Sequence, residues 1–196
     1  MSLKRSFDFF LSLFGLLVFS WLILIVWLIA SFGTKSNGFF TQKRVGKDGS
    51  LFTLIKIKTM KQISGFDTTV TTKNDIRITK LGSFFRKIKL DELPALWNVF
   101  IGDMSLVGPR PDVPGYADNL KGNDRRILQL RPGITGPATL KYANEEQLLA
   151  SVNDPQKYND EVIFPDKVKI NLEYLDNWSI WLDIKIIFKT IFRSNY

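Results

Sequence analysis

The chain has 196 residues, enough for one domain with a real core or for one domain joined to a membrane anchor. Hydrophobic residues make up 45% of the chain and charged residues 23%, which excludes a disordered protein. Cysteine and histidine are both absent, which excludes disulfide scaffolds, thiolate or histidine zinc sites and Ser-His-Asp triads. The formal charge of +8 suits nucleic acid, anionic lipid or a phosphorylated substrate.

An uncharged apolar stretch near the N-terminus predicts a membrane helix. It covers residues 13–30, the length that a bilayer requires, and it is too long for a cleaved signal peptide. Lys4 and Arg5 precede the stretch and Lys35 follows it. Since positive charge favours the cytoplasm at both ends, a helix that bends and returns would satisfy both flanks, with Ser20 as a candidate for the bend. From the residues alone, a spanning and a re-entrant helix both stay open.

The rest of the chain alternates short apolar patterns with turn residues, which indicates an α+β domain that is mostly helical. In chain order the patterns predict a basic loop at 38–46, a strand at 50–58, a loop at 64–75 and a basic amphipathic helix at 78–88. They next predict a helix at 90–100, a loop at 102–111, a helix at 123–130 and a turn cluster at 131–136. The last elements are a helix, loop and helix within 143–170 and a terminal amphipathic helix that could lie flat on a membrane.

The adjacent acids Asp91 and Glu92 are the first candidates for chemistry. At a helix N-terminus they would flank free N–H groups that favour anions. One carboxylate could then attack phosphorus while the other holds a divalent cation. The simpler interpretation makes Asp91 an N-cap and Glu92 a first-turn charge, and it is the commoner case.

Basic residues next to turns are candidates for binding phosphate. Pro109 and Pro111 hold Arg110 on a stiff, extended backbone, which would present its guanidinium to a phosphate. The glycines of the turn cluster that begins at Arg131 would let a ligand approach the backbone closely. Three further cations lie near the membrane-proximal segments: Lys56, Lys58 and Arg86. Each group also has an ordinary interpretation, as a surface charge or a plain turn.

Taken together and in order, these stretches resemble the bacterial sugar transferase family, the monotopic phosphoglycosyltransferases. The matching stretches are KRSFDF, FTQKRVG, FTLIKIKTM, KLDELPALWNVFIGDMSLVGPRP, RPGITG and WSIWLDIKII, from Lys4 to Ile187. The resemblance implies a re-entrant membrane helix over 1–34 and a cytoplasmic catalytic domain over 35–196, seated on the bacterial inner membrane by interfacial helices. Two positions depart from the family: Trp21 follows Ser20 where relatives usually have proline, and Asn171 stands where they often carry an acid.

The resemblance also implies a reaction. Asp91 would attack the β-phosphate of a UDP-sugar, UMP would leave, and polyprenyl phosphate would take the phosphosugar from the carboxylate. Glu92 and Mg²⁺ would assist, with Asp91 and Glu92 as the metal ligands. The cations that match basic positions of the family are assigned to substrate phosphates: Arg110, Arg131, Lys58 and Arg86.

Two other functions explain the charge and the anchor. A membrane-anchored scaffold that binds anionic lipid is the main alternative, but it gains nothing from adjacent carboxylates among arginines. Nucleic-acid binding predicts aromatic side chains among the cations, whereas here the aromatics concentrate in the apolar stretch and the terminal helix. We therefore expect a lipid bilayer, a UDP-sugar and polyprenyl phosphate as partners, and no nucleic acid.

Overall fold

A computed structural model describes residues 2–61 and 75–192 of the chain. These stretches are mostly helical with two small two-stranded sheets, so the predicted α+β class is confirmed. The helices are α1 (Ser2–Thr34), α2 (Lys80–Lys87), α3 (Ala95–Ile101), α4 (Pro137–Lys141), α5 (Glu145–Ala150), α6 (Pro155–Tyr158), α7 (Phe164–Asp176) and α8 (Ile180–Ile191). The strands are β1 (Phe39–Val45), β2 (Leu51–Ile57), β3 (Ser105–Val107) and β4 (Gly133–Thr135). The predicted loop at 64–75 lies outside the described residues except for Asp75.

The apolar stretch forms one long helix. α1 has 33 residues and is about 50 Å long at 1.5 Å per residue. By length and composition it could cross a membrane, and the rest of the protein buries only 11% of its most apolar window. The Ser20 hydroxyl donates to the Leu17 carbonyl at 3.3 Å, and the helix continues through this point. The predicted re-entrant path stays a prediction.

The N-terminal part of α1 is fixed to the domain by polar contacts. The ammonium of Lys4 lies 2.5 Å from the carboxylate of Asp183, which is fully buried at the start of α8. Four residues along α1, the carboxylate of Asp8 accepts a hydrogen bond of 3.0 Å from the backbone N–H of Leu106 in β3. This end of α1 therefore packs against β3 and α8.

The C-terminal part of α1 is fixed by apolar packing. Val26 and Ala30 are buried and pack in one cluster with Ile57 of β2 and Phe85 of α2. Between the two anchored ends, residues 17–21 are all exposed. Both ends of the helix thus contact the same domain, while its middle contacts little of the protein.

A β-hairpin follows α1, so the predicted basic loop at 38–46 is wrong. β1 and β2 pair antiparallel, from Phe39 opposite Ile57 to Val45 opposite Leu51. The cations of this segment sit on strand positions and the turn comes later, at residues 47–49. Their charge suggested a loop, whereas a strand accommodates them as well, with Lys43 exposed and Arg44 half-buried.

The second sheet joins two segments that were predicted as loop and turn. β3 lies within 102–111 and β4 within 131–136, and the two strands pair parallel. Gly108 and Gly133 lie where the backbones touch: an added Cβ on Gly133 would be 2.2 Å from the nitrogen of Gly108. The glycines therefore permit close approach of one chain segment to another, where a ligand had been expected.

Several elements follow the predictions, and the helix predicted at 123–130 does not. α2 and α8 lie within the predicted amphipathic segments, and β2 lies within the predicted strand. The segment at 143–170 forms α5, α6, a π-helical turn at 159–163 and the start of α7. The segment at 123–130 is a 3₁₀ helix at Asp124–Gln129, tighter than the predicted helix.

The main core lies between the hairpin, α3, the small parallel sheet and the C-terminal helices. Its largest fully buried side chains include Leu54 of β2, Met104 before β3 and Ile186 of α8. Phe7 and Leu96 pack at its edge, which connects α1 and α3 to the same core. The core thus fixes the relative positions of β2 and the segments on either side of α3.

Replacing Gly133 with Ala should destabilise the protein, because the new methyl group would overlap backbone atoms that cannot turn aside. We expect a cost of at least about 1–3 kcal/mol, the range for overpacking. Gly33→Ala is the matched control, since a Cβ there meets nothing within 4 Å. Thermal unfolding in detergent measures both variants, and equal midpoints would contradict the close approach of β3 and β4.

Candidate functional site

The two adjacent acids lie on a tight turn before α3. Lys89 has φ 61°, in the left-handed region, and a 3₁₀ turn follows at Leu90–Glu92. α3 begins only at Ala95, and no side chain caps it. The prediction of one helix at 90–100 with Asp91 as its N-cap is therefore wrong. The turn, followed by Pro94, shifts the helix start and leaves the Asp91 side chain free of a capping role.

Asp91 is a buried carboxylate with an unused oxygen. Its residue is 9% exposed, and within the described part of the chain its Oδ1 atom is buried without a hydrogen-bond partner. Burial and the neighbouring charge of Glu92 raise the pKa of Asp91, while Lys56 and Lys89 act in the opposite direction. A buried acceptor without a donor requires an explanation, and a ligand at this oxygen would provide one.

Glu92 has the opposite environment, although it is the next residue. Its Oε1 atom lies 2.9 Å from Nζ of Lys56 and 3.4 Å from Nη1 of Arg110. Burial alone would raise the pKa of Glu92, but the charges of Lys56 and Arg110 hold it well below its usual range. Glu92 is thus held as an anion that orders two cations.

Four charged side chains meet in a small cleft. Arg44, Lys56, Glu92 and Arg110 line it, and Leu54, Ala95 and Met104 of the core contribute its apolar part. The hairpin brings Arg44 and Lys56, the turn before α3 brings Glu92, and the loop after β3 brings Arg110. Cations beside a buried carboxylate can hold a phosphate close to a potential nucleophile.

Arg110 lies where its motif predicted, next to the carboxylates. Its backbone is fixed on both sides: the carbonyl of Pro109 accepts 2.7 Å from the N–H of Gly133, and the carbonyl of Pro111 accepts 3.0 Å from Nη1 of Arg44. The guanidinium keeps 42% of its side-chain surface exposed. It can therefore meet a ligand that arrives from solvent.

Arg86 is close enough to Asp91 to lower its pKa, although its nitrogens bond elsewhere. Nε donates to the hydroxyl of Thr59 at 3.0 Å, and Nη1 donates to Glu146 at 2.9 Å. Among the described residues, neither Asp91 nor Glu92 accepts a hydrogen bond from Arg86.

Arg131 and Lys58 do not line the cleft. Nε of Arg131 donates 2.8 Å to the carbonyl of Gly102, at the C-terminus of α3. Nζ of Lys58 donates 2.9 Å to the hydroxyl of Ser36, just after α1. The assignment of these two cations to substrate phosphates stays a prediction.

Lys56 was a candidate cation that was not assigned to a substrate phosphate, and Arg44 was not a candidate. Lys56 shares one face of β2 with Phe52 and Leu54, both buried, since side chains two apart on a strand point the same way. Counting the alternation from the start of the strand would have placed Lys56 inside. Arg44 was hidden by the prediction of a loop at 38–46.

The carboxylate pair fits a magnesium site that the substrate completes. Within the described residues no group of three or more acidic side chains could enclose a metal. Mg²⁺ is commonly held by one or two carboxylates together with substrate phosphates and water. The unused Oδ1 of Asp91 is the atom that best suits such an ion, with Glu92 beside it.

Glu92→Gln should destabilise the fold, because it leaves Lys56 buried beside a neutral group. We expect a loss of about 2 kcal/mol, below the usual cost of breaking a fully buried pair, since 19% and 12% of the two side chains remain exposed. The loss should shrink in a Lys56→Met background, which removes the cation that Glu92 neutralises. Glu161→Gln is the control, since Glu161 pairs with Lys157 in an exposed i,i+4 contact, and its change should be at most about 0.5 kcal/mol. Equal losses in both backgrounds, measured by urea unfolding, would show that the pair is not coupled.

Comparison with known proteins identifies the family. The family described as Bacterial sugar transferase matches residues 1–195. The UDP-glucose:undecaprenyl-phosphate glucose-1-phosphate transferase of Escherichia coli is 35% identical over 198 residues, and the UDP-galactose-lipid carrier transferase of Erwinia amylovora is 35% identical over 207. These alignments cover 98% and 96% of this chain but only 40% and 39% of the relatives, so the chain spans about two fifths of their length. The uncharacterized sugar transferase EpsL of Bacillus subtilis is 35% identical over 191 residues, 97% of this chain and 86% of EpsL. The chain therefore belongs to the bacterial sugar transferase family.

Proposed function

We propose that this protein is a phosphoglycosyltransferase, which transfers a phosphosugar from a UDP-sugar to polyprenyl phosphate. The products would be a polyprenyl-diphospho-sugar and UMP, the first membrane step in making a glycoconjugate. The observation that carries the proposal is the buried carboxylate of Asp91, which has an oxygen without a partner and directly precedes Glu92, a residue that lines the cleft together with cations. Relatives named as undecaprenyl-phosphate and lipid-carrier sugar transferases support the same substrate class.

In the first proposed step, Asp91 is the nucleophile. A carboxylate oxygen of Asp91 forms a bond to the β-phosphorus of the UDP-sugar. The bond from that phosphorus to the oxygen bridging the two phosphates breaks, and UMP leaves with the electron pair. The phosphosugar then remains on Asp91 as an acyl phosphate. Splitting one displacement into two easier ones is the general advantage of covalent catalysis.

In the second step, an oxygen of polyprenyl phosphate attacks the same phosphorus. The bond between phosphorus and the Asp91 oxygen breaks, which restores the carboxylate and leaves a diphosphate linkage on the lipid. Arg110 faces the cleft on a rigid backbone, so it can hold phosphate oxygens without reorganising. Glu92 keeps Lys56 and Arg110 in place and is itself too stable as an anion to serve as an acid.

Magnesium is proposed as the cofactor, held by Asp91 and Glu92 together with the donor's phosphates. When bound, it would neutralise phosphate charge as UMP departs. Asp91 has two oxygens, and only Oδ1 is buried without a partner within the described residues. The carboxylate can thus present one oxygen to a cation and the other to phosphorus.

The membrane arrangement follows from what the protein leaves exposed. α1 exposes large apolar side chains along its length, and α8 exposes Trp181 and Phe188 while α2 exposes Phe84. We infer that these helices lie at or in the bilayer, with the domain on the cytoplasmic face. Contacts of both ends of α1 with one domain favour a re-entrant path over a spanning one, because a spanning helix would carry one end away.

Asp91→Asn should abolish the covalent adduct without unfolding the protein. Wild-type protein incubated with Mg²⁺ and a panel of UDP-sugars, without lipid, should gain the mass of one phosphosugar and release UMP. The variant should do neither, and its melting temperature should stay equal or rise, since a buried charge is removed. Asp48→Asn, an exposed carboxylate on the hairpin turn, is the control and should behave as wild type.

Absence of an adduct and of UMP with every donor, also after polyprenyl phosphate is added, would reject the enzyme. The chain would then be better described as the membrane-bound scaffold. An adduct that persists in Asp91→Asn would keep the transferase activity and reject Asp91 as the nucleophile.

Single cysteines can test the path of α1, since the chain has none of its own. Ser6 and Thr41 are exposed on either side of the apolar stretch, and Phe19 lies in its middle. With a charged maleimide that does not cross membranes, Ser6→Cys and Thr41→Cys should both react in inverted vesicles and neither in spheroplasts. Phe19→Cys should react in neither. Labelling of the two end positions from opposite sides would establish a spanning helix.

A further inference from the structure

Charged groups close enough to interact with Arg110 are not used by the proposed chemistry. They belong to Arg44, which lines the cleft, and to Asp112, which follows the stiff Pro109–Pro111 segment. The two residues lie on neighbouring segments of the chain, because the N–H of Val45 donates a hydrogen bond of 2.9 Å to the carbonyl of Asp112. This backbone bond brings the two residues close together in the fold, and the charges of their side chains act on each other.

Arg44 has one nitrogen that is buried and unused. Nη1 donates 3.0 Å to the carbonyl of Pro111, and Nη2 donates 2.7 Å to the amide oxygen of Gln42. In the described stretches Nε is buried with no acceptor. Two of the nitrogens thus hold the guanidinium still, and the third is a fixed donor that lacks a partner. Leaving a charged donor unpaired is costly, which suggests that a ligand supplies the acceptor.

Asp112 is the complementary acceptor. Its residue is partly buried, and among residues 2–61 and 75–192 its carboxylate makes no hydrogen bond or ion pair. Lys167, Arg44 and Arg110 surround it with positive charge, and burial nevertheless raises the pKa of Asp112 to about 6. Glu145, a like charge that also acts on Asp112, is already engaged by Lys167 at 2.8 Å. The carboxylate of Asp112 therefore lies within range of the charges of Arg44 and Arg110, and no described residue donates to it.

We propose that Arg44 and Asp112 form the subsite for the sugar of the donor, with Nε of Arg44 donating to a sugar oxygen and Asp112 accepting from a sugar hydroxyl. The inference rests on the proposed function, which places the donor's phosphates at Arg110 and Asp91. A fixed donor beside a fixed acceptor matches a hydroxyl, which can accept and donate at once. The pair therefore selects a neutral sugar with a free hydroxyl at this point.

The same pair discriminates against acidic sugars. A uronic acid would bring its carboxylate close to Asp112, where like charges repel in a partly buried site. A sugar that lacks the hydroxyl would leave both protein groups unpaired, and such mismatches give strong selection. Arg44 also supports the backbone of Arg110, so Asp112 is the cleaner residue for a test.

The test measures UMP release by wild type, Asp112→Asn and the control Asp48→Asn, with UDP-glucose, UDP-galactose, UDP-N-acetylglucosamine and UDP-glucuronate. For the neutral donor that wild type prefers, Asp112→Asn should lower kcat/KM about 10–100-fold, as expected for one lost hydrogen bond to a charged group. Its affinity for UDP, which has no sugar, should change less than about twofold by the same reasoning. Relative activity with UDP-glucuronate should rise, since the repelling charge is gone. Asp48→Asn should keep the wild-type donor ranking.

The outcomes separate the two proposals. If wild type is active but Asp112→Asn keeps the same kcat/KM ratios among donors, the subsite is wrong and the transferase stands. An equal loss of affinity for UDP and for the UDP-sugar would indicate that Asp112 acts in nucleotide binding or in folding, and it would also reject the subsite. If wild type releases no UMP from any donor, the proposed function fails and the subsite fails with it. Should Asp112→Asn not fold, Asp112→Glu replaces it: a longer carboxylate should change the donor ranking, and an unchanged ranking would reject the subsite.

Discussion

The attachment of the long apolar helix to its domain depends on one buried carboxylate. Asp183 is completely buried and receives Lys4 of α1 at 2.5 Å, the hydroxyl of Tyr174 at 2.5 Å and the indole N–H of Trp178 at 3.1 Å. A charge inside a protein is tolerated only when it is paired and hydrogen-bonded. The start of α1 is therefore fixed to α7 and α8. Because Val26 packs on the domain near the other end, the middle of the helix is left exposed by the protein.

The need to balance buried charge also explains why the two adjacent acids have different environments. Glu92 takes the two cations, so its charge is balanced and its position fixed. Asp91, one residue away on a 3₁₀ turn, keeps a buried oxygen that no described residue uses. Neighbouring carboxylates with opposite environments commonly serve different roles. In the proposed function, Glu92 orders the cations and Asp91 reacts.

Sequence motifs identified much of the candidate site, and the residues that they did not identify lie on the strands of the hairpin. Asp91, Glu92 and Arg110 were identified because acids and a proline-flanked arginine are unusual enough to be noticed in sequence. Lys56 was a candidate cation that was not assigned to a substrate phosphate, and Arg44 was not a candidate. Their placement depends on which face of a hairpin is inside, and a charged residue on the buried face contradicts the simple alternation of apolar and polar residues.

The sequence by itself determined the apolar helix, the strand β2, the amphipathic helices α2 and α8, and the family to which the motifs belong. These features are local: an uncharged run, a period of two or a period near 3.6 depends only on neighbours in the chain. Only the tertiary structure decided that β3 pairs with β4, since three-residue strands gain their stability from a partner distant in sequence. It also decided that Asp91 is no helix cap, because the turn at Lys89 and the packing of α3 outweigh a capping preference. The burial of Arg44 and Asp112 beside Arg110 likewise arises from contacts between segments that the sequence keeps far apart.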